Sequence, residues 1–272
     1  RGPEYSRPFN QIIEEVKSLV DKGAKEIILL GQNVNAYEFE GFRLSNLILE
    51  IEKFSEIKRV RYTTSHPKDM TEDLIDVYKY SKKLMPLVHL PIQSGSNKIL
   101  NLMNRKHTIN EYLNIFDKLK NINSKIEFSS DFIIGYPGED EQNFKETLEI
   151  IKKIKFINSY SFIYSSRPGT VAANLKTIDQ KILTQRLKEV QNQLFENQIS
   201  MNKSLENKIL SVLVENLTKD KNQVFGRSEY MTPVIFNGKK SDIGKIVSVK
   251  IEKSNRSTLF GKLINNFTKK VA

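Results

Sequence analysis

Five short apolar runs recur in the first 165 residues, and each breaks into a Gly-, Pro- or amide-rich loop before a helix-period stretch resumes. The runs are Glu26 to Leu30, Val60 to Thr63, Leu87 to Leu90, Ile126 to Ile134 and Tyr160 to Tyr164. Amphipathic stretches separate them, near 44–54, 71–81, 97–103 with 110–121, and 142–155. A further helix opens after Ser6-Arg7-Pro8 and stops at Gly23. Such alternation predicts βα units and a parallel sheet. An earlier strand ahead of the first run is expected as well. Six strands are too few for a closed eight-stranded barrel, so an open partial barrel is predicted.

The run ending in Asp131-Phe132-Ile133-Ile134-Gly135-Tyr136-Pro137-Gly138-Glu139 carries the sharpest signal. Three consecutive apolar residues suit a strand buried on both faces. The glycines after it let backbone approach a ligand, and Ser129, Asp131 and Glu139 bracket that approach. Ligands bind at the carboxyl ends of strands in open or barrel-like α/β sheets. The competing reading is an ordinary strand-to-helix turn, with Glu139 a helix cap favoured by the dipole.

After this series the period changes. Asp179 to about Asn207 reads as one long polar helix with Ile182, Leu183, Leu187, Val190 and Leu194 as its apolar stripe. Then come five short β-branched runs, 209–214, 224–227, 234–236, 246–251 and 259–264, read as a small antiparallel barrel. The predicted organisation is a partial barrel over 1–175, a connecting helix over 176–205 and the small barrel over 206–272. The net charge of +11 concentrates at this end, with 13 Lys and Arg against 6 Asp and Glu from Glu206 onward. That points to a polyanion, nucleic acid first; the alternative is a Lys-rich surface that serves solubility.

With 39% hydrophobic and 28% charged residues, the composition suits a soluble globular protein. No run reaches the roughly 18–20 apolar residues of a membrane helix, so no membrane partner is expected. Without cysteine, disulfides and thiolate metal sites are excluded within these residues, and three scattered histidines suggest no metal site. Residue 1 is Arg, and the expectation is a fragment whose N-terminal part is missing.

Seven ordered segments together resemble one family. They are Arg1-Gly2 with Ser6-Arg7-Pro8, Leu30 to Asn35, Thr63 to Pro67, His89 to Ser96, Met103 to Thr108, Asp131 to Glu139 and Ser161 to Thr170. In this order they resemble the radical S-adenosylmethionine (SAM) methylthiotransferases, specifically the tRNA enzymes of the MiaB type. The 206–272 region, with Gly226-Arg227-Ser228, resembles a TRAM domain. The resemblance implies a partial parallel β/α barrel of radical SAM type followed by a small TRAM-like antiparallel barrel. It implies SAM and two [4Fe-4S] clusters in the full-length enzyme, whose ligand cysteines this chain lacks. The implied reaction adds a 2-methylthio group to N(6)-isopentenyladenosine beside the tRNA anticodon. The implied partners are tRNA and an electron donor such as flavodoxin or ferredoxin, for a cytoplasmic monomer. The fragment alone is expected to be inactive. The alternatives are a methylthiotransferase for threonylcarbamoyl-adenosine in tRNA, a cluster-free RNA-binding protein and an unrelated barrel enzyme such as an aldolase.

Resemblance and strand-end placement together nominate the site. Gln32 and Asn33 are expected near the methionine moiety of SAM, Gln93 and Ser94 near the ribose, and Ser129 and Asp131 beside the cofactor. Gly135 is expected to admit the adenine, with Glu139 nearby and Arg167 meeting the SAM carboxylate or an RNA phosphate. His66 and His89 are read as structural rather than proton-donating, and Tyr160, Phe162 and Tyr164 as core. In the small barrel, Arg227, Lys239, Lys240 and Lys245 are the candidate phosphate contacts.

Overall fold

A computed structural model describes residues 5–220 and 222–264. The opening Arg1-Gly2 of the first motif lies outside the described residues. The chain divides into two compact units, 1–194 and 195–272, with the division inside the long helix.

The first unit begins with α1 (Phe9–Asp21). Gly23, at φ +92°, ends it: Gly23 N–H donates to Val20 O and Ala24 N–H to Leu19 O, a Schellman pair. Then come β1 (Glu26–Leu29), a hairpin of β2 (Glu38–Phe39) and β3 (Phe42–Arg43), and α2 (Leu44–Glu52). The Glu40-Gly41 turn between β2 and β3 has positive φ at both residues, which matches the right-handed twist of a tight hairpin. Next are β4 (Arg59–Tyr62), α3 (Glu72–Tyr80), β5 (Leu87–His89), α4 (Asn97–Leu102) and α5 (Ile109–Ile122). A Thr108–Glu111 capping box starts α5. The unit continues through β6 (Glu127–Ser129), β7 (Asp131–Ile134), α6 (Glu141–Ile154) and β8 (Tyr160–Ile163).

Apart from the antiparallel β2–β3 hairpin, the strands pair in parallel and in chain order. β1 pairs with β4, a Val60–Leu84 bridge leads to β5, β5 pairs with β6, and β7 pairs with β8. The predicted single strand over 126–134 is therefore two, parted at Ser130. This fully buried residue takes the Ile92 N–H on its hydroxyl and donates its own N–H to Ser159 Oγ, both at 2.9 Å. Those side-chain bonds satisfy groups that the interrupted ladder leaves open. Ile48, Ile51, Val60, Leu90, Ile92, Phe128, Phe132 and Phe156 fill the core beneath.

Two edges differ from each other. Beside β1, Ile28 and Leu30 are exposed, and an apolar groove of about 280 Å³ runs between α1 and β1 past Val16, Leu19, Ile27 and Leu47. At the other end, β8 turns Tyr160 and Phe162 outward at 63% and 56% exposure. The expectation of core positions for them is corrected: β8 pairs only with β7 among the described strands, so alternate residues of an edge strand face solvent. Tyr164 is half-buried against Tyr136.

α7 (Gln180–Ser204) runs across the division. The second unit holds its final residues and β9 (Ile209–Leu217), β10 (Gln223–Ser228), β11 (Pro233–Asn237), β12 (Ile246–Ser254) and β13 (Leu259–Leu263). These strands close in the order β10-β11-β13-β12-β9. All pairs are antiparallel except β11–β13, which is parallel. Leu210, Val212 and Val214 alternate inward to meet Val224, Val234, Phe236, Val249, Ile251 and Leu259, as a period of two requires. Asn202, fully buried, donates to the carbonyls of Asn255 and Arg256 and so ties the helix end to the β12–β13 turn. No described helix is long and apolar enough to cross a membrane.

Candidate active site at the strand ends

The loops after β1 and β4 are joined side by side. Val34 N–H donates to Thr64 O, and the Asn35 amide meets His66 in both directions, donating to its carbonyl at 2.9 Å and accepting its N–H at 2.8 Å. Asn33 Nδ2 donates to Asp69 Oδ2 at 2.7 Å, which leaves Asn33 Oδ1 buried without a partner. Gln32 is exposed beside it. Neither Asn35 nor Asp69 was nominated from sequence; the Asn-x-Asn spacing is the only local sign of the first.

Backbone strain marks the same rim. Thr64 and Gln93 hold φ +64° and +72°, a region costly for side chains other than Gly or Asn. Gln93 lies within the sheet, donating its N–H to Asp131 O at 3.0 Å and accepting Ile133 N–H at 2.9 Å. At the end of β5, just before Gln93 in the chain, His89 Nδ1 lies 2.9 Å from Ser129 Oγ, and His89 Nε2 lies 3.7 Å from Asp131 Oδ2. His89 thus orients Ser129 and Asp131, while the Asp131 carboxylate stays one-third exposed.

Three nominated residues are spent differently from the expectation. The fully buried Ser94 hydroxyl lies 3.4 Å from Thr147 Oγ1 of α6 and accepts Ser96 N–H at 3.2 Å. Gly135 has φ +76°, but the space over its Cα is filled: a Cβ there would lie 1.9 Å from Leu183 Cδ2 of α7. Glu139, 1% exposed at its side chain, accepts Gly135 N–H at 3.1 Å and pairs with Arg186 Nη1 at 2.9 Å. Burial pushes its carboxyl above the usual range, and Arg186 opposes that rise. The cap of α6 is the neighbouring Asp140, which accepts Asn143 N–H at 2.9 Å. Arg167 is exposed in the loop after β8, where its carbonyl accepts from Thr170 N–H and Oγ1.

In the second unit, Lys239, Lys240 and Lys245 are exposed and gathered on the β11–β12 loop, with Lys245 Nζ 3.5 Å from Asp242. Arg227 on β10 is held by Glu215 at 3.3 Å and lies over the Phe225 ring. Lys250 and Lys253 on β12 add exposed positive charge that the sequence reading did not nominate.

Comparisons with known proteins agree with this division. Residues 203–264 match the TRAM domain. A Pelagibacter ubique protein called tRNA-2-methylthio-N(6)-dimethylallyladenosine synthase is 68% identical over all of this chain and 62% of its own length. A Wolbachia pipientis protein of the same name is 48% identical over 96% of the chain and 61% of its own. The chain thus spans about three-fifths of the length of these relatives. Coproporphyrinogen III oxidase from Escherichia coli, called a radical SAM enzyme, superposes with a TM-score of 0.53 over 93% of this chain and 64% of its own, at 12% identity, a likeness of fold alone. Residues 1–151 match the radical SAM superfamily, and the chain belongs to it.

Proposed function

We propose that this chain is the SAM-binding and RNA-binding part of a tRNA methylthiotransferase that acts on N(6)-isopentenyladenosine beside the anticodon. The observation that carries the reading is a strand-end site with an unpartnered buried amide oxygen, on a chain 68% identical throughout to a relative named for that reaction. Residues 1–175 hold the cofactor and 206–272 hold the RNA, with 176–205 between them. The working protein is a cytoplasmic monomer that draws electrons from a flavodoxin- or ferredoxin-type donor.

The strand-end residues suit SAM. Asn33 Oδ1 is an acceptor for its ammonium group, and Asp131 and Ser129 face the ribose hydroxyls with His89 fixing them. Gln32 reaches the methionine end and Gln93 the ribose. Ser94, Gly135 and Glu139 act one step back, shaping the loops that carry the cofactor. Arg167 offers its guanidinium to the carboxylate or to RNA phosphate. Bound SAM supplies the radical and the methyl group of the reaction; the protein supplies position and electrostatics. The two [4Fe-4S] clusters need thiolates that this chain does not contain, so their ligands come from elsewhere in a longer protein.

Expression of the full-length gene in a bacterium lacking its own methylthiotransferase tests the reaction. The 2-methylthio form of isopentenyladenosine is expected to return in tRNA digests; its continued absence with soluble protein present contradicts the reading. The RNA unit has its own test. With Lys239, Lys240 and Lys245 changed to Gln, tRNA affinity is expected to fall and the slope of log K against log salt to shrink by about 2–3, because each lost phosphate contact removes roughly one released counterion. An unchanged slope places RNA contact elsewhere.

A further inference from the structure

Arg105 lies in the Met103 to Thr108 motif, which the proposed cofactor contacts leave unused. It is half-buried, and burial lowers its pKa. Arg7, Arg43, Arg59, Arg61, Arg186 and Arg227 each have a carboxylate within ion-pair distance. Arg105 has none among the described residues; the titratable groups it acts on are the rings of His66 and His107. Those rings meet edge to face with centroids 5.4 Å apart.

His66 offers a donor. His66 Nδ1 accepts Lys68 N–H at 3.1 Å, which assigns the ring proton to Nε2 in the neutral form. His107 is 6% exposed with both ring nitrogens buried; its ring faces the Ile92 backbone and packs behind His66. Burial and the neighbouring cations hold both rings neutral near pH 7, His107 down to about 4. The nearby acids are already engaged: Asp69 takes the Asn33 amide, and Glu111 caps α5 through Thr108. Arg105 and His66 thus offer donors and one fixed positive charge, and a desolvated charge is costly until an opposite charge reaches it.

We propose that Arg105 and His66, with His107 packed behind them, form a receptor for one oxyanion, a carboxylate or a phosphodiester, at the rim of the strand-end site. This rests on the proposed function, in which the strand-end site holds SAM and the protein acts on tRNA. Two ligands of the proposed reaction carry such a group: the carboxylate of SAM and the phosphates of tRNA.

The test uses the full-length, anaerobically reconstituted protein with Arg105→Gln and Arg105→Lys, and His66→Gln as a milder variant. The probes are SAM, 5′-methylthioadenosine (which lacks the amino-acid tail) and tRNA at two salt concentrations. If the oxyanion is the SAM carboxylate, Arg105→Gln weakens SAM binding at least tenfold, leaves 5′-methylthioadenosine unchanged, and Arg105→Lys restores part of the loss. If it is an RNA phosphate, SAM binding holds while tRNA binding weakens and its salt slope shrinks by about one contact. Either result supports the receptor. Unchanged affinity for both ligands in Arg105→Gln and His66→Gln, with unchanged melting temperature, overturns it. Failure of the unaltered protein to bind SAM or tRNA overturns the underlying functional reading instead.

Discussion

Replacing Arg186 with Met lowers the stability of the first unit by about 3–5 kcal/mol at pH 8, and by clearly less at pH 5. The cost arises because Glu139 is buried and its main countercharge is Arg186, at 2.9 Å. Glu139 Oε2 and Arg186 Nε are already without hydrogen-bond partners, so little remains to absorb the loss. The pH dependence follows from the direction of the carboxyl shift. Burial raises the folded pKa of Glu139, and removing Arg186 raises it further. The folded state of the variant then binds a proton more readily than the unfolded chain. The penalty is therefore small below the ordinary Glu value of about 4.3, grows as pH rises, and is complete above the folded pKa. Melting curves followed by circular dichroism at the two pH values check this. Equal losses at both contradict a buried, charged Glu139.

Gly95→Ala is the second large effect, with a loss near the top of the roughly 1–3 kcal/mol range of overpacking. An added Cβ at Gly95 lies 2.5 Å from both the carbonyl oxygen of Glu146 and the Cα of Thr147. Both are backbone atoms of α6, so no rotamer change can relieve the overlap. The loop that follows Gln93 and carries Ser94 must then lift away from α6, and the Gly95 N–H loses Thr147 Oγ1 at 3.0 Å. For a unit of this size the melting temperature is expected to fall by roughly 6–10 °C. SAM affinity of the full-length protein is expected to fall with it, because Gln93, at the sheet end, leads directly into the displaced loop. A variant with unaltered melting and SAM binding contradicts that placement.

The periodicities of the chain carried most of the fold. The parallel order β1, β4, β5, β6–β7, β8 follows from apolar runs alternating with amphipathic helices, and the small barrel from the shift to a period of two. The strand ends were legible because Gly, Pro and amide residues cluster there. What local pattern could not reveal were pairings made over long separations. Glu139 reads as a loop carboxylate until Arg186, 47 residues on, closes over it. Gly135 reads as an opening until Leu183 covers it. Ser94 reads as a ligand donor, but α6 takes its hydroxyl. Tyr160 and Phe162 alternate as core residues would, and only the position of β8 at the sheet edge turns them outward. The break at Ser130 falls in an unbroken stretch of strand-like sequence and exists because the Ser130 hydroxyl takes the Ile92 N–H and the Ser159 hydroxyl takes the Ser130 N–H.

The most direct measurement is mass spectrometry of isopentenylated tRNA after incubation with the full-length protein, reconstituted anaerobically with iron and sulfide and supplied with SAM and dithionite. The expected result is gain of one methylthio group in place of one hydrogen on isopentenyladenosine, lost when Asn33 and Asp131 are changed to Ala. An unmodified nucleoside from protein that holds its clusters and binds tRNA contradicts the account.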